Sequence, residues 1–202
     1  MFDVFVGARP LLPKKTLIGD SMIRDVVRLP NTRIYCKPGV KLVTLASDIF
    51  SKRELRYCLE QSDLVIVHAG TNDINTCSAN ELLDCIKKLV SDYRDRYRGH
   101  IGFSAIIPRP RDGKALSDRV KMFNQKLVAW CALNGCLCLR TYGPFLKGGR
   151  PRTHLFNKGR LHLSSCGPFP SGAYVLQNFL RSELSDGTLI PRIKEVEAKF
   201  YA

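Results

Sequence analysis

The stretch Asp63-Leu64-Val65-Ile66-Val67-His68-Ala69 is apolar without alternation, and no other feature constrains the fold as much. Its β-branched residues favour a strand, and a strand with apolar side chains on both sides has to be buried on both faces. Burial of that kind is met in parallel sheets, whose crossover helices cover the two faces. The flanking sequence supplies the other parts. Thr16 to Gly19, Arg33 to Cys36, Ile101 to Ile107 and Cys136 to Arg140 read as further strands. Helical spacing runs over Met22 to Leu29, over Val40 to Phe50 and Lys52 to Glu60 (one broken helix or two), and over Ser78 to Tyr97, Arg119 to Leu133 and Ser171 to Leu184. Ser78 with Glu81 three residues on forms a capping-box pattern, and Asn134-Gly135 closes a helix as a C-cap does. Alternating strands and helices predict an α/β domain with a mostly parallel sheet wrapped on both sides. We place that domain at 16–185, with an N-terminal extension at 1–15 and a C-terminal tail at 186–202.

With 202 residues, 45% of them hydrophobic, one domain with a proper core is expected. No run approaches the roughly 18 apolar residues of a membrane span, and the first residues lack the pattern of a secretory signal. The eight cysteines show no C-x-x-C pair and no zinc-ligand spacing, so neither a metal nor another cofactor is expected. They read as small apolar residues of a reducing compartment, with Cys136 and Cys138 on one strand face, which points to an intracellular, cytoplasmic chain. The formal charge of +14 favours anionic partners, or else gives a merely soluble basic surface.

In a parallel sheet the loops after the strands share one edge, where ligands bind. Ser21 follows the first strand, Gly39 the second and Asn72 the third. Leu17-Ile18-Gly19-Asp20-Ser21 resembles the first block of the SGNH (GDSL-like) hydrolases. Lys37-Pro38-Gly39 fits their second block, Gly70-Thr71-Asn72-Asp73 their third, and Leu161-His162-Leu163-Ser164 the histidine part of their last. The ordered set spans Thr16 to Leu184. It implies a three-layer αβα sandwich around a five-stranded, flavodoxin-like sheet and an esterase acting on acetyl or short acyl esters. It also implies Ser21 as nucleophile, His162 as its base, and an oxyanion hole made by the Ser21 and Gly39 backbone N–H groups and the Asn72 amide.

The residue types suit that chemistry. A serine hydroxyl needs a base such as neutral imidazole, and the oxyanion formed on attack needs fixed donors. The helix expected after Ser21 would add its positive dipole end, and glycine at 39 would allow close backbone approach. Taken singly, Ser21 can be a helix cap, Asn72 a turn residue and His162 a surface histidine. His68, His100 and His154 are read as ordinary structural histidines, and Asp73 as a support for its loop.

One departure matters. The family's acid stands three residues before the histidine, and here that position is Gly159. Either a Ser–His pair works without it, with a backbone carbonyl or Asn157 orienting His162, or the site is inactive. Losing the orienting acid costs serine hydrolases about 10⁴-fold. The basic residues offer the other reading. Arg109, Arg111 and Lys114 follow strand four, while Lys147, Arg150, Arg152, Lys158 and Arg160 follow strand five and flank His162. On the shared edge they would form a cationic collar that attracts nucleic acid or anionic lipid. The compact form of the domain is also similar to the esterase-type domains in first open-reading-frame proteins of LINE retrotransposons. That likeness implies self-association through regions outside this chain and work near RNA and membranes.

Overall fold

The computed structural model describes residues 14–159, 162–165 and 171–185. The sequence expectations for Arg160, Leu161, most of the N-terminal extension and the 186–202 tail lie outside the described residues. Five parallel strands form one sheet: β1 (Lys15–Gly19), β2 (Thr32–Cys36), β3 (Leu64–His68), β4 (His100–Ser104) and β5 (Leu137–Leu139), in the order β2-β1-β3-β4-β5. Every residue of β3 is buried, as its unbroken apolar run requires.

The strand faces separate two cores. Ile18, Val65, Val67, Ile101 and Phe103 pack under α1 (Leu42–Ser51), α2 (Arg53–Glu60), α3 (Ala79–Arg94) and α4 (Lys114–Leu133). Leu17, Leu64, Ile66 and Leu139 face α5 (Gly172–Ser185) and a long irregular segment. The architecture is the expected three-layer α/β sandwich, with helices gathered mainly on one side. The capping box at Ser78 and Glu81 is formed, with both reciprocal hydrogen bonds present. Cys136 and Cys138 share one core, and Cys36, Cys58, Cys77, Cys85, Cys131, Cys136 and Cys138 are free thiols. Among the described residues no helix is long and apolar enough to cross a membrane.

The helix expected from Met22 to Leu29 does not form. Ser21–Ile23 makes one 3₁₀ turn, and the chain then runs irregularly to β2. The apolar positions are nevertheless buried as the spacing predicts: Met22, Ile23, Val26 and Leu29 all enter the second core. What defeats the helix is local. Arg28 adopts φ 54° and Asn31 φ 47°, left-handed values that no right-handed helix accommodates. Pro30 also disfavours the helical region for Leu29 before it. At the other end of the domain, α4 begins at Lys114, five residues before the expected Arg119, with Gly113 as N-cap. β4 is shorter than its apolar run, since Ala105 to Ile107 continue buried but outside the strand.

Past β5, β6 (Leu146–Lys147) and β7 (Arg150–Pro151) form a small hairpin. Gly148 and Gly149 turn it at φ 56° and 75°, the positive pair that a type I′ turn requires.

Candidate active site

β1 lies between β2 and β3, where connections leave the sheet in opposite directions, and crevices open at such switch points. The strand ends are locked together there. The Lys37 N–H donates to the Gly19 carbonyl at 2.9 Å, and the Asp20 N–H to the His68 carbonyl at 3.1 Å. β1 and β3 approach so closely that a Cβ on Gly19 would collide with the His68 carbonyl oxygen. Next in the chain, Asp20 is fully buried and caps the 3₁₀ turn, its Oδ1 accepting the Met22 N–H at 2.9 Å. Ser21, half-buried, follows it at the crevice. A three-residue turn has almost no macrodipole, so the dipole assistance expected at Ser21 is absent.

Gly39 sits in the loop after β2 with φ +71° and nothing within 4 Å of a Cβ placed on it. No described residue crowds this position, and its positive φ is itself a reason for glycine here. The loop is fastened at three points. Asn72 Nδ2 donates to the Val40 carbonyl at 3.0 Å. Asp73 Oδ2 accepts the Leu42 N–H at 2.9 Å, and Lys37 Nζ meets Asp48 Oδ2 at 2.6 Å. Burial pushes the Asp73 carboxyl above its ordinary value, opposed by the Leu42 hydrogen bond. The hydrogen bond from Lys37 holds the Asp48 carboxyl below its own. Asp73 thus supports the loop, as read from the sequence.

Ser21, Gly39 and Asn72 are brought to one rim. Among the described residues, neither the Ser21 nor the Gly39 backbone N–H meets an acceptor. Asn72 spends one of its two amide hydrogens on Val40 and keeps the other.

His162 is exposed, beside Leu163, which packs in the core that holds Met22 and Ile23. Its carbonyl accepts the Asn157 N–H at 2.9 Å, and Phe156 bridges to Leu163 in antiparallel fashion. Among the described residues the His162 ring bonds neither to Ser21 nor to Asn157. Gly159 is exposed, and among the described residues a Cβ there would meet only Asn157 Oδ1, at an ordinary 3.4 Å.

The basic collar needs correction at Arg109. Its side chain is buried, with Nε 2.5 Å from Asp112 Oδ2 and Nη1 donating to the Thr71 carbonyl. It props the turn that carries Asn72 and is not available to an anion at the surface. Sequence gives no warning of this, because a buried guanidinium is set by tertiary packing. Arg111, Lys147 and Arg150 are exposed, and Lys147 pairs across the hairpin with Arg150. Arg152 is half-buried, with Nη1 donating to the Pro144 carbonyl at 3.3 Å. Among the described residues no cluster of His, Cys, Asp or Glu is grouped to hold a metal ion.

Beneath this rim, His68 is buried with Nδ1 hydrogen-bonded to Ser104 Oγ. Ser104 Oγ lies 3.3 Å from Thr141 Oγ1, which donates to the Ala105 carbonyl at 2.5 Å. Burial holds the His68 pKa below its usual value, against a smaller opposing effect of Asp20.

A family model, the GDSL-like lipase/acylhydrolase family, matches residues 43–167. That span includes Asn72 and His162 and leaves Ser21 and Gly39 outside it. No curated protein sequence matches the chain. Among solved structures, a member of the lipolytic protein G-D-S-L family from Veillonella parvula superposes with a TM-score of 0.66. It is 17% identical, over 84% of this chain and 96% of that one. A catalytic mutant of Axe2, an acetylxylan esterase from Geobacillus stearothermophilus, gives a TM-score of 0.64 at 12% identity, over 85% and 94%. The esterase domain of the ZfL2-1 ORF1 protein from a zebrafish retrotransposon is 24% identical over 85% and 98%, with a TM-score of 0.46, too loose a superposition to build on.

Proposed function

Because the chain belongs to the GDSL-like lipase/acylhydrolase family, we propose that it hydrolyses acetyl or short acyl esters through an acyl-Ser21 intermediate. One observation supports the reading: among the described residues the Ser21 and Gly39 backbone N–H groups meet no acceptor and Asn72 keeps one amide hydrogen, all three in the loops that follow β1, β2 and β3. Three donors in that arrangement suit the oxyanion of a tetrahedral intermediate. Ser21 Oγ attacks the ester carbonyl carbon while His162 takes the hydroxyl proton. The intermediate collapses, the C–O bond to the alcohol breaks, and His162 returns the proton to the leaving oxygen. Water then attacks the acyl-serine, again giving a proton to His162, and the carboxylic acid leaves as Ser21 recovers its hydrogen.

This chemistry runs without an acid at position 159, so a slow enzyme is expected. Among the described residues the His162 ring makes no hydrogen bond to Ser21, and hydrogen bonds of this kind often tighten only in the complex with substrate. The test is p-nitrophenyl acetate turnover. It disappears in Ser21→Ala and falls about 10²- to 10³-fold in Asn72→Ala if one oxyanion donor is lost. Equal rates for Ser21→Ala and the parent would remove Ser21 from the mechanism.

A second reading draws on the hairpin, where Lys147 opposes Arg150 although like charges across a strand pair repel. Such a pairing is relieved by an anion, which supports a non-catalytic module that binds nucleic acid or anionic lipid on this rim. Charge reversal at Lys147 and Arg150 tests it: salt-dependent binding should be lost, and the parent should show no ester turnover that depends on Ser21.

A further inference from the structure

The opposite edge of the sheet, where the strands begin, carries a groove with no part in ester cleavage. One cleft of about 740 Å³ includes Lys14, Gln61, Arg96 and Arg98 in its walls. A second of about 470 Å³ includes Lys14, Gln61 and Arg33. Lys14, Gln61 and Ser62 belong to both, so the two adjoin beneath the starts of β2, β1, β3 and β4.

Its charge and its rings occur together. Lys14, Arg33, Arg56, Arg96 and Arg98 are exposed in or beside the groove, against the acids Glu60 and Asp63. Asp63 is already engaged, its Oδ2 accepting the Lys14 N–H at 2.7 Å. The Arg33 guanidinium lies 5.8 Å from the centre of the Tyr57 ring, and Tyr57 is 58% exposed. Arg96 lies 4.9 Å from the Phe50 ring, which stacks with Tyr97 at 6.4 Å and 15°. Exposed arginines beside aromatic faces along a basic groove are what a flexible strand of phosphates and bases engages. A lipid surface, being broad, would not enter a concave cleft.

We infer that this groove binds single-stranded nucleic acid, with phosphates on Lys14, Arg33, Arg96 and Arg98 and a base against the Tyr57 ring. The site is a strand's length from Ser21, about 17 Å at roughly 3.3 Å per residue, so occupation leaves ester cleavage untouched.

The experiment follows a fluorescently labelled oligothymidylate strand by anisotropy with the full chain. Four phosphate contacts predict a fall in affinity of about 50-fold between about 50 and 200 mM salt. The exposed pair change Arg96→Glu with Arg98→Glu should weaken binding at least about tenfold at low salt. Tyr57→Ala should weaken it about fivefold or more. Far-UV circular dichroism confirms that each variant is folded, and should the double variant fail to fold, Tyr57→Ala decides alone. Binding that ignores the groove changes, binding lost instead in Lys147→Glu with Arg150→Glu, or equal affinity for the duplex would each overturn the assignment. Ester turnover is read separately, so failure of one site does not obscure the other.

Discussion

The carboxylate of Asp73, in the turn after β3, caps a helix to which it does not belong: its Oδ2 accepts the N–H of Leu42, the first residue of α1. The N-cap of α1, Lys41, offers no side-chain hydrogen bond of its own. One interaction therefore satisfies an orphan helix donor and fixes the Gly39 loop against the Asn72 turn. Removing it in Asp73→Ala should cost about 1–2 kcal/mol in urea denaturation and lower ester turnover together with stability. Asp73→Asn retains an acceptor and should stay within a few tenths of a kcal/mol of the parent, as roughly equal cap preferences suggest. Equal losses in both variants would show that the charge, not the acceptor, matters.

Gly39→Ala separates conformation from crowding. No described residue lies close enough to clash with the new methyl group, so the penalty is that of φ +71° for a residue with a side chain. That penalty is about 1–2 kcal/mol. The loop can relieve it by turning, which would move one oxyanion donor, and turnover should fall about tenfold or more with the fold intact. Unchanged turnover would dismiss the Gly39 N–H as a donor.

At Gly159 no described residue stands in the way of the missing acid. Among the described residues a Cβ there makes one ordinary contact, with Asn157 Oδ1 at 3.4 Å. Gly159→Asp should raise p-nitrophenyl acetate turnover by about tenfold or more, a fraction of what an orienting acid contributes in serine hydrolases. No gain would mean that His162 is already held, or that its loop does not reach Ser21.

His68 should make the fold sensitive to acid. Burial keeps its folded pKa below the unfolded value near about 6.5. The unfolded chain therefore takes up a proton first, and stability present above that pH declines as pH falls through it. The melting temperature should drop between about pH 6.5 and 5, and His68→Asn, which keeps a polar partner for Ser104, should flatten the decline. The same slope in both proteins would assign the acid response to other groups.

How legible all this was depended on where the information resides. β3 and the start of α3 are written locally, in an unbroken apolar run and in the Ser78–Glu81 box, and both formed. The segment after Ser21 misled because burial and backbone are separate matters. Met22, Ile23, Val26 and Leu29 are buried on the expected side although Arg28 takes a left-handed φ that periodicity cannot register. Ser21, Gly39 and Asn72 were gathered by strand order alone. Arg109 cannot be placed from the sequence, because only packing shows that its guanidinium goes to Thr71 and Asp112. His162 was found by its motif, yet its ring has no partner among the described residues, and neighbouring sequence does not encode one.

The crowding at Gly19 divides the Gly-Asp-Ser signature into two kinds of letter. Glycine is demanded by the strand beside it and aspartate by the turn it closes, so both would persist in a descendant that had given up catalysis. Serine alone is free to drift once hydrolysis is no longer under selection. In related chains, a Gly-Asp pair followed by some other residue would mark a retained scaffold with retired chemistry.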